Sequence, residues 1–128
     1  MENTFANISV LDLLFRAANR TPSKTYCKSA NHEFTYQQFI NACIKLANEI
    51  SNKNINKERI GIFLPNSILF LISYFAILIS GNRPALLNYL LPDFALGKLI
   101  DNLEPSLVIS NKVLLKSEGI IVKIEDYL

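Results

Sequence analysis

A chain of 128 residues, half of them hydrophobic and with a formal net charge of +2, is one domain's worth of polypeptide with enough apolar matter for a real core. The composition excludes a disordered chain. The small charge, with lysines and arginines scattered rather than clustered, excludes a nucleic-acid partner.

Cys27 and Cys43 are the only cysteines. With no CxxC and no Cys/His cluster they read as two reduced, half-buried thiols of a cytosolic protein. The opening MENTFANISVLDLLFRAANR lacks the basic start, unbroken apolar stretch and cleavage site of a signal peptide. The run Ile68 to Ile79, broken only by Ser73, falls far short of the ~20 residues that cross a bilayer. A helix buried on all sides accounts for it better than a membrane span.

In chain order, Ser9 with Asp12 caps a first helix, and Val10, Leu13, Leu14, Ala17 and Ala18 give it an apolar face. Thr21-Pro22 ends it. Tyr26-Cys27-Lys28 reads as a short strand, Ala30 to Glu33 as a turn and Phe34 as the returning strand. Thr35 and Gln38 form a capping box for a second helix. Its buried face is Phe39, Cys43, Leu46, Ala47 and Ile50, widened by Ile40 and Ile44, with Lys45 and Glu49 on the wet side. It runs out in the mostly polar stretch Ser51 to Lys57.

The stretch RIGIFLPNSILFLISYFAILISGNRPALLNY, Arg59 to Tyr89, reads as a βαβ unit, the building block of parallel sheets. A strand from Ile60 to Leu64 is apolar without alternation, as when both faces are covered. Ser67 caps a helix, Gly81 takes the left-handed position after it, and Pro84 to Leu87 is the next strand. A helix from about Asp93 to Leu103 follows, with Pro92 at its start and Phe94, Leu96, Leu99, Ile100 and Leu103 as its buried face. Pro105 closes it. Leu107 to Ile109 is a core strand, Val113 to Lys116 a connector, and Ile120 to Ile124 the last strand. The alternation specifies an α/β fold, a largely parallel sheet with flanking helices.

Several segments in order resemble the opening of the AMP-forming acyl-activating enzymes. They are Thr21-Pro22; Phe34-Thr35-Tyr36 with Ala47-Asn48; Ile60 to Ser67 with its L-P-N-S; the helix ending at Gly81; and LEPSLVIS, Leu103 to Ser110. Pro84-Ala85-Leu86-Leu87-Asn88-Tyr89 is most similar to the synthetase half of bacterial acyl-acyl-carrier-protein synthetase / 2-acylglycerophosphoethanolamine acyltransferase. The resemblance implies an incomplete N-terminal subdomain, residues 1–128 being a single partial domain of such an enzyme. That family joins a fatty acid to ATP, releases pyrophosphate and passes the acyl group to a thiol carrier. It uses magnesium, a Ser/Thr/Gly-rich phosphate loop ending in Pro-Lys, an aromatic-Thr-Glu adenine motif, a ribose-binding Asp and a mobile C-terminal domain with a Lys. None of those motifs occurs here, and Gly61, Gly81, Gly97 and Gly119 stand apart, so no phosphate-cradling loop is visible. The resemblance therefore carries no catalytic, cofactor-binding or metal residue onto this chain. ATP and magnesium are expected in a complete family member, not here.

Other residues invite a functional reading and receive a plainer one. His32, the only histidine, reads as a solvated turn residue with no nucleophile nearby. Asp93, Asp101 and Glu104 read as a helix cap and a wet helical face. Asn66 follows a strand's C-terminal end, where open α/β sheets place ligands, yet Pro-Asn-Ser also makes a turn and a cap. Arg83 reads as a surface arginine. The leading expectation is an N-terminal fragment or split-gene subunit of a fatty acyl-acyl-carrier-protein or acyl-CoA synthetase, inactive alone. Its partner is then the remainder of the synthetase, and exposed strand edges and apolar side chains should make it partner-dependent. The alternatives are a protein-binding module retained from such an enzyme and a small membrane-associated protein. The expected setting is cytoplasmic, or peripheral to the inner membrane.

Overall fold

Residues 9–29, 31–114 and 117–128 are described by a computed structural model. The first eight residues of the opening segment, Ala30 of the turn and residues 115–116 of the connector lie outside the described residues.

Local chemistry sets the ends of the helices. Helix α1 (Val10–Arg20) starts where the Asp12 N–H donates to Ser9 Oγ. Strands β1 (Thr25–Lys28) and β2 (Glu33–Thr35) form an antiparallel hairpin. Helix α2 (Tyr36–Ser51) opens on the full capping box: Gln38 N–H donates to Thr35 Oγ1 and Thr35 N–H to Gln38 Oε1. Strand β3 (Arg59–Phe63) leads into helix α3 (Ile68–Ile79), where Ser67 Oγ accepts from the Phe70 N–H. Gly81 ends α3 with φ +82°, a conformation that costs other L-residues ~1–2 kcal/mol. Strand β4 (Arg83–Leu86), helix α4 (Asp93–Leu103), strand β5 (Leu107–Ser110) and strand β6 (Gly119–Ile121) follow.

Strands β3 to β6 make one parallel sheet in the order β4-β3-β5-β6. The chain steps from β3 to one side, then crosses back past β3 to reach β5. Right-handed crossovers in opposite directions put their helices on opposite faces. The core divides accordingly. Ile60, Ile62 and Leu64 share one cluster with Leu107, Ile109 and residues of α1, α2 and α3, whereas Phe63 and Val108 pack with Leu96 and Ile100 of α4. Gly61 belongs to the α4 face, where a Cβ would lie 3.0 Å from Leu87 Cδ1 and 3.2 Å from Val108 Cγ2. Buried Asn82, unremarkable in the sequence, joins the turn after α3 to the approach to β3. Its Oδ1 accepts from Glu58 N–H at 2.9 Å, and its Nδ2 donates to the Ile55 carbonyl at 3.3 Å and Ser80 Oγ at 3.0 Å.

Five expectations need correction, the first being Ile44 of α2, which is 40% exposed rather than widening the buried face. Phe94 is not in the buried face of α4 but 75% exposed. It precedes Leu96 by two residues, about 200° around a helix of 3.6 residues per turn. On α1, Leu14 and Ala18 are buried while Val10 and Leu13 are more than half exposed. Cys43 is fully buried rather than half-buried. The last strand ends at Ile121, and Ile124 begins a 3₁₀ turn, Ile124–Tyr127.

That turn is held on α2. Lys45 Nζ donates to the Asp126 carbonyl at 2.6 Å and sits 5.5 Å from the Tyr127 ring centroid. Burial, then the carboxylates of Glu49 and Asp126, raises the Tyr127 phenol from 10.0 to about 12. A proton held more tightly in the folded state stabilises it below the unfolded pKa, and that contribution fades as pH rises through the folded one. Thermal midpoints of the chain and Tyr127→Phe should therefore diverge between pH about 10 and about 12, with the wild type falling faster. A gap constant across that window would contradict this.

Candidate functional site

A crevice opens beyond the C-terminal ends of β3 and β4, next to the β3–β5 boundary where the strand order reverses, and open α/β sheets bind ligands outside the carboxyl ends of their strands. It has a volume of about 500 Å³ and runs between Leu64-Pro65-Asn66 and Leu86 to Leu90, with Phe70 of α3 on one wall. Both sides are fixed by backbone chemistry. Ser67 Oγ donates to the Pro65 carbonyl at 2.9 Å, which sets the turn bearing Asn66. Leu87 N–H donates to the Ile62 carbonyl at 3.0 Å, and Leu90 N–H to Asn88 Oδ1 at 3.0 Å.

The lining is apolar apart from the amides of Asn66 and Asn88 and the Tyr89 hydroxyl. Beside it stands a small ordered cluster. The Tyr89 ring lies 4.9 Å from that of Phe63, and its hydroxyl donates to Asn111 Oδ1 at 3.1 Å. Lys112 Nζ lies 5.2 Å from the Phe63 centroid and 5.8 Å from that of Tyr89. A second groove of about 310 Å³ lies across the Leu64-Pro65-Asn66 turn and takes in His32, Ser29, Asn111 and Ile124.

The structure thus brings Asn66 and His32 to one groove, and His32 is half-buried rather than free in solvent. It does not gather the other sequence candidates there. Arg83 opens β4 at the opposite end of the sheet, Asp93 opens α4, and Asp101 and Glu104 lie at the far end of that helix. Tyr89, Asn111 and Lys112 have no spacing that joins them. The available signal was position, since Asn66, Asn88-Tyr89 and Asn111-Lys112 all follow the ends of parallel strands.

Among the described residues no carboxylate, thiol or histidine lines the larger crevice. Burial pushes both thiols up, Cys43 strongly, which disfavours the reactive thiolate. Among the described residues no group of three or more His, Cys, Asp or Glu side chains is placed to hold a metal ion, and no helix is long and apolar enough to cross a membrane.

The model of the family described as AMP-binding enzyme matches residues 14–126. The chain belongs to the AMP-binding enzyme family. Among solved AMP-binding structures it is similar to the N-terminal subdomain of NpsA from Klebsiella oxytoca in complex with 3-hydroxybenzoyl-AMSN (TM-score 0.79, 19% identity, 88% of this chain and 30% of that one). It is also similar to O-succinylbenzoate coenzyme A synthetase, MenE, from Bacillus subtilis in complex with AMP (TM-score 0.76, 16% identity, 89% and 31%). VinN in complex with L-aspartate is a third (TM-score 0.81, 23% identity, 92% and 35%). These likenesses establish the α/β fold of the adenylate-forming N-terminal subdomain, of which the chain spans about a third of each matched length. Among curated proteins no sequence matches. ATP and magnesium, which AMP-binding enzymes use, do not fit the groups present. The glycines are isolated in separate parts of the fold, and among the described residues no cluster of acidic side chains is placed to hold a metal ion.

Proposed function

We propose that this chain is the N-terminal part of an AMP-forming synthetase that activates a fatty acid for transfer to acyl-carrier protein or coenzyme A. Its share is structural: it supplies the parallel sheet and one wall of the acid site. The phosphate loop, the magnesium ligands and the mobile lysine belong to polypeptide outside these residues. The observation that carries the substrate class is the crevice, walled by Leu64, Phe70, Leu86, Leu87 and Leu90 with no charged side chain in its lining. Such a lining suits an alkyl chain, whereas an amino acid or another charged group would be left without partners there. The P-A-x-L-N-Y segment that sets the acyl-carrier-protein resemblance forms β4 and the same crevice wall. We place the protein in the cytoplasm, in keeping with its two free cysteines.

The test is ATP–pyrophosphate exchange with decanoate and magnesium, using this chain, the polypeptide encoded immediately downstream, and their mixture. Exchange is expected in the mixture only, and more strongly with decanoate than with benzoate or aspartate. Exchange by the chain alone would refute the structural role. A mixture that prefers benzoate or aspartate would refute the fatty-acid reading, and no exchange from the mixture would refute the split synthetase.

A further inference from the structure

Helix α1 carries an apolar stripe that the described residues leave uncovered. Leu14 and Ala18 turn inward, to the core with α2 and α3. Val10 and Leu13 are more than half exposed, and Ala17 is half-buried beside them. A groove of about 220 Å³ runs between this stripe and Tyr26, Tyr36 and Phe75. Its floor is already ordered: the Tyr26 ring lies 4.9 Å from that of Tyr36 and 4.7 Å from that of Phe39. Tyrosines held in this way lose little freedom when a partner settles on them, and aromatic side chains are enriched at the centres of interfaces.

One flank of the stripe is charged, and the signs are ordered along the helix. At about 100° per residue, Val10, Leu13 and Ala17 fall within a sector of about 60°, and Asp12, Arg16 and Arg20 fill about the next 80°. Asp12 stands in the first turn and Arg20 in the last, and all three side chains are exposed. Asp12 and Arg16 are four residues apart yet do not pair with each other. Among the described residues the one ion pair is Lys53 with Glu118.

We propose that this face binds a second copy of the chain, the two α1 helices packing antiparallel about a two-fold axis. Such an axis, perpendicular to both helices, sets each charged flank against the same flank of the partner running the other way. With the axis near Leu14, Asp12 of each copy faces the partner's Arg16, and the two Leu13 side chains meet beside the axis, each at the mouth of the other's groove. The order of charges selects this occupant: acid then base along one flank is complementary to itself reversed. Eleven residues make α1 about 16 Å long, so the contact falls at the small end of specific interfaces and the dimer is a weak one. It forms without the rest of a synthetase, so the dimer and the synthetase reading stand or fall separately.

The experiment is sedimentation equilibrium of the full chain over a concentration series reaching high micromolar. A reversible monomer–dimer equilibrium is expected. Leu13→Asp alters a side chain that is mostly in water, and an unchanged circular dichroism melt verifies its fold; it is expected to raise the dissociation constant at least about tenfold. Asp12→Arg and Arg16→Asp, each of which sets like charges face to face, are expected to weaken the dimer about tenfold. The double variant Asp12→Arg with Arg16→Asp restores opposite charges and is expected to return to within about threefold of wild type. A chain that stays monomeric throughout the series overturns the proposal, as does a dimer that Leu13→Asp leaves intact. A dimer that either charge reversal weakens and the double variant fails to restore overturns the antiparallel pairing. A monomer whose binding to the downstream polypeptide is lost in Leu13→Asp overturns the proposal too, and makes that polypeptide the occupant.

Discussion

Replacing Phe39 with alanine is expected to lower the stability of the chain by ~3–5 kcal/mol, the usual cost of emptying a buried phenylalanine site. Phe39 is fully buried in α2. Its ring lies 4.7 Å from that of Tyr26 on β1 and meets Phe75 on α3 edge-on at 5.8 Å. One side chain therefore joins the hairpin and two helices, and the hole it leaves has walls on three separate elements. A domain of this size has a net stability of about 5–15 kcal/mol, so the loss is a large share of the total. Urea unfolding followed by circular dichroism measures it, with Phe39→Leu as the volume-conserving comparison expected to cost less than about 1.5 kcal/mol. A loss below about 1 kcal/mol for the alanine variant would show that the three elements do not depend on this contact.

Phe39 is also a residue whose role the sequence discloses. The capping box of Thr35 and Gln38 fixes where α2 starts, and the three-and-four spacing from Phe39 to Ile50 fixes which way it faces. The βαβ unit is legible for the same reason: an apolar strand, a capped apolar run and a glycine leave few other arrangements. Spacing fails where an element has apolar residues on more than one side. Helix α4 is such a case, because Phe94 and Leu96 are both large and apolar but point apart, and only the neighbours decide which is buried. The C-terminal segment fails differently. Ile120 to Ile124 has the composition of a strand, yet Val122 N–H makes its bond back to the Ser110 carbonyl and the chain then turns onto α2 through Lys45. Those contacts join residues far apart in the chain, and no local pattern encodes them.

The crevice was less legible than the fold. Asn66 is found by its place after a strand, but the cluster of Phe63, Tyr89, Asn111 and Lys112 is assembled from three strand ends whose order in the sheet differs from their order in sequence. Strand order is set by the opposite directions of the two crossovers, which place β3 between β4 and β5 beside the crevice. Residues that serve it therefore have no common spacing. The apolar rim is informative in the same way. Leu90 is 88% exposed and Leu86 60%; scattered exposed leucines are ordinary, but these two border a single cleft with Phe70.

Phe63→Ala is the substitution that joins stability to the proposed role. Phe63 is almost wholly buried at the end of β3, packed in the α4-side core with Leu87, Leu96, Ile100 and Val108. Its removal is expected to cost ~3–5 kcal/mol and to leave the Tyr89 ring without its principal support. Tyr89→Phe keeps that ring and removes only the bond to Asn111, a change of about 0.5–1.5 kcal/mol at most. The pair separates the wall of the crevice from its polar edge. In the reconstituted exchange assay, at a temperature where both variants remain folded, Phe63→Ala should raise the decanoate concentration for half-maximal exchange about tenfold, equivalent to ~1.4 kcal/mol of lost binding. Tyr89→Phe should leave it within about twofold, because an alkyl chain gains nothing from the hydroxyl. An unchanged decanoate dependence in Phe63→Ala would mean that the acid lies elsewhere in the assembled enzyme.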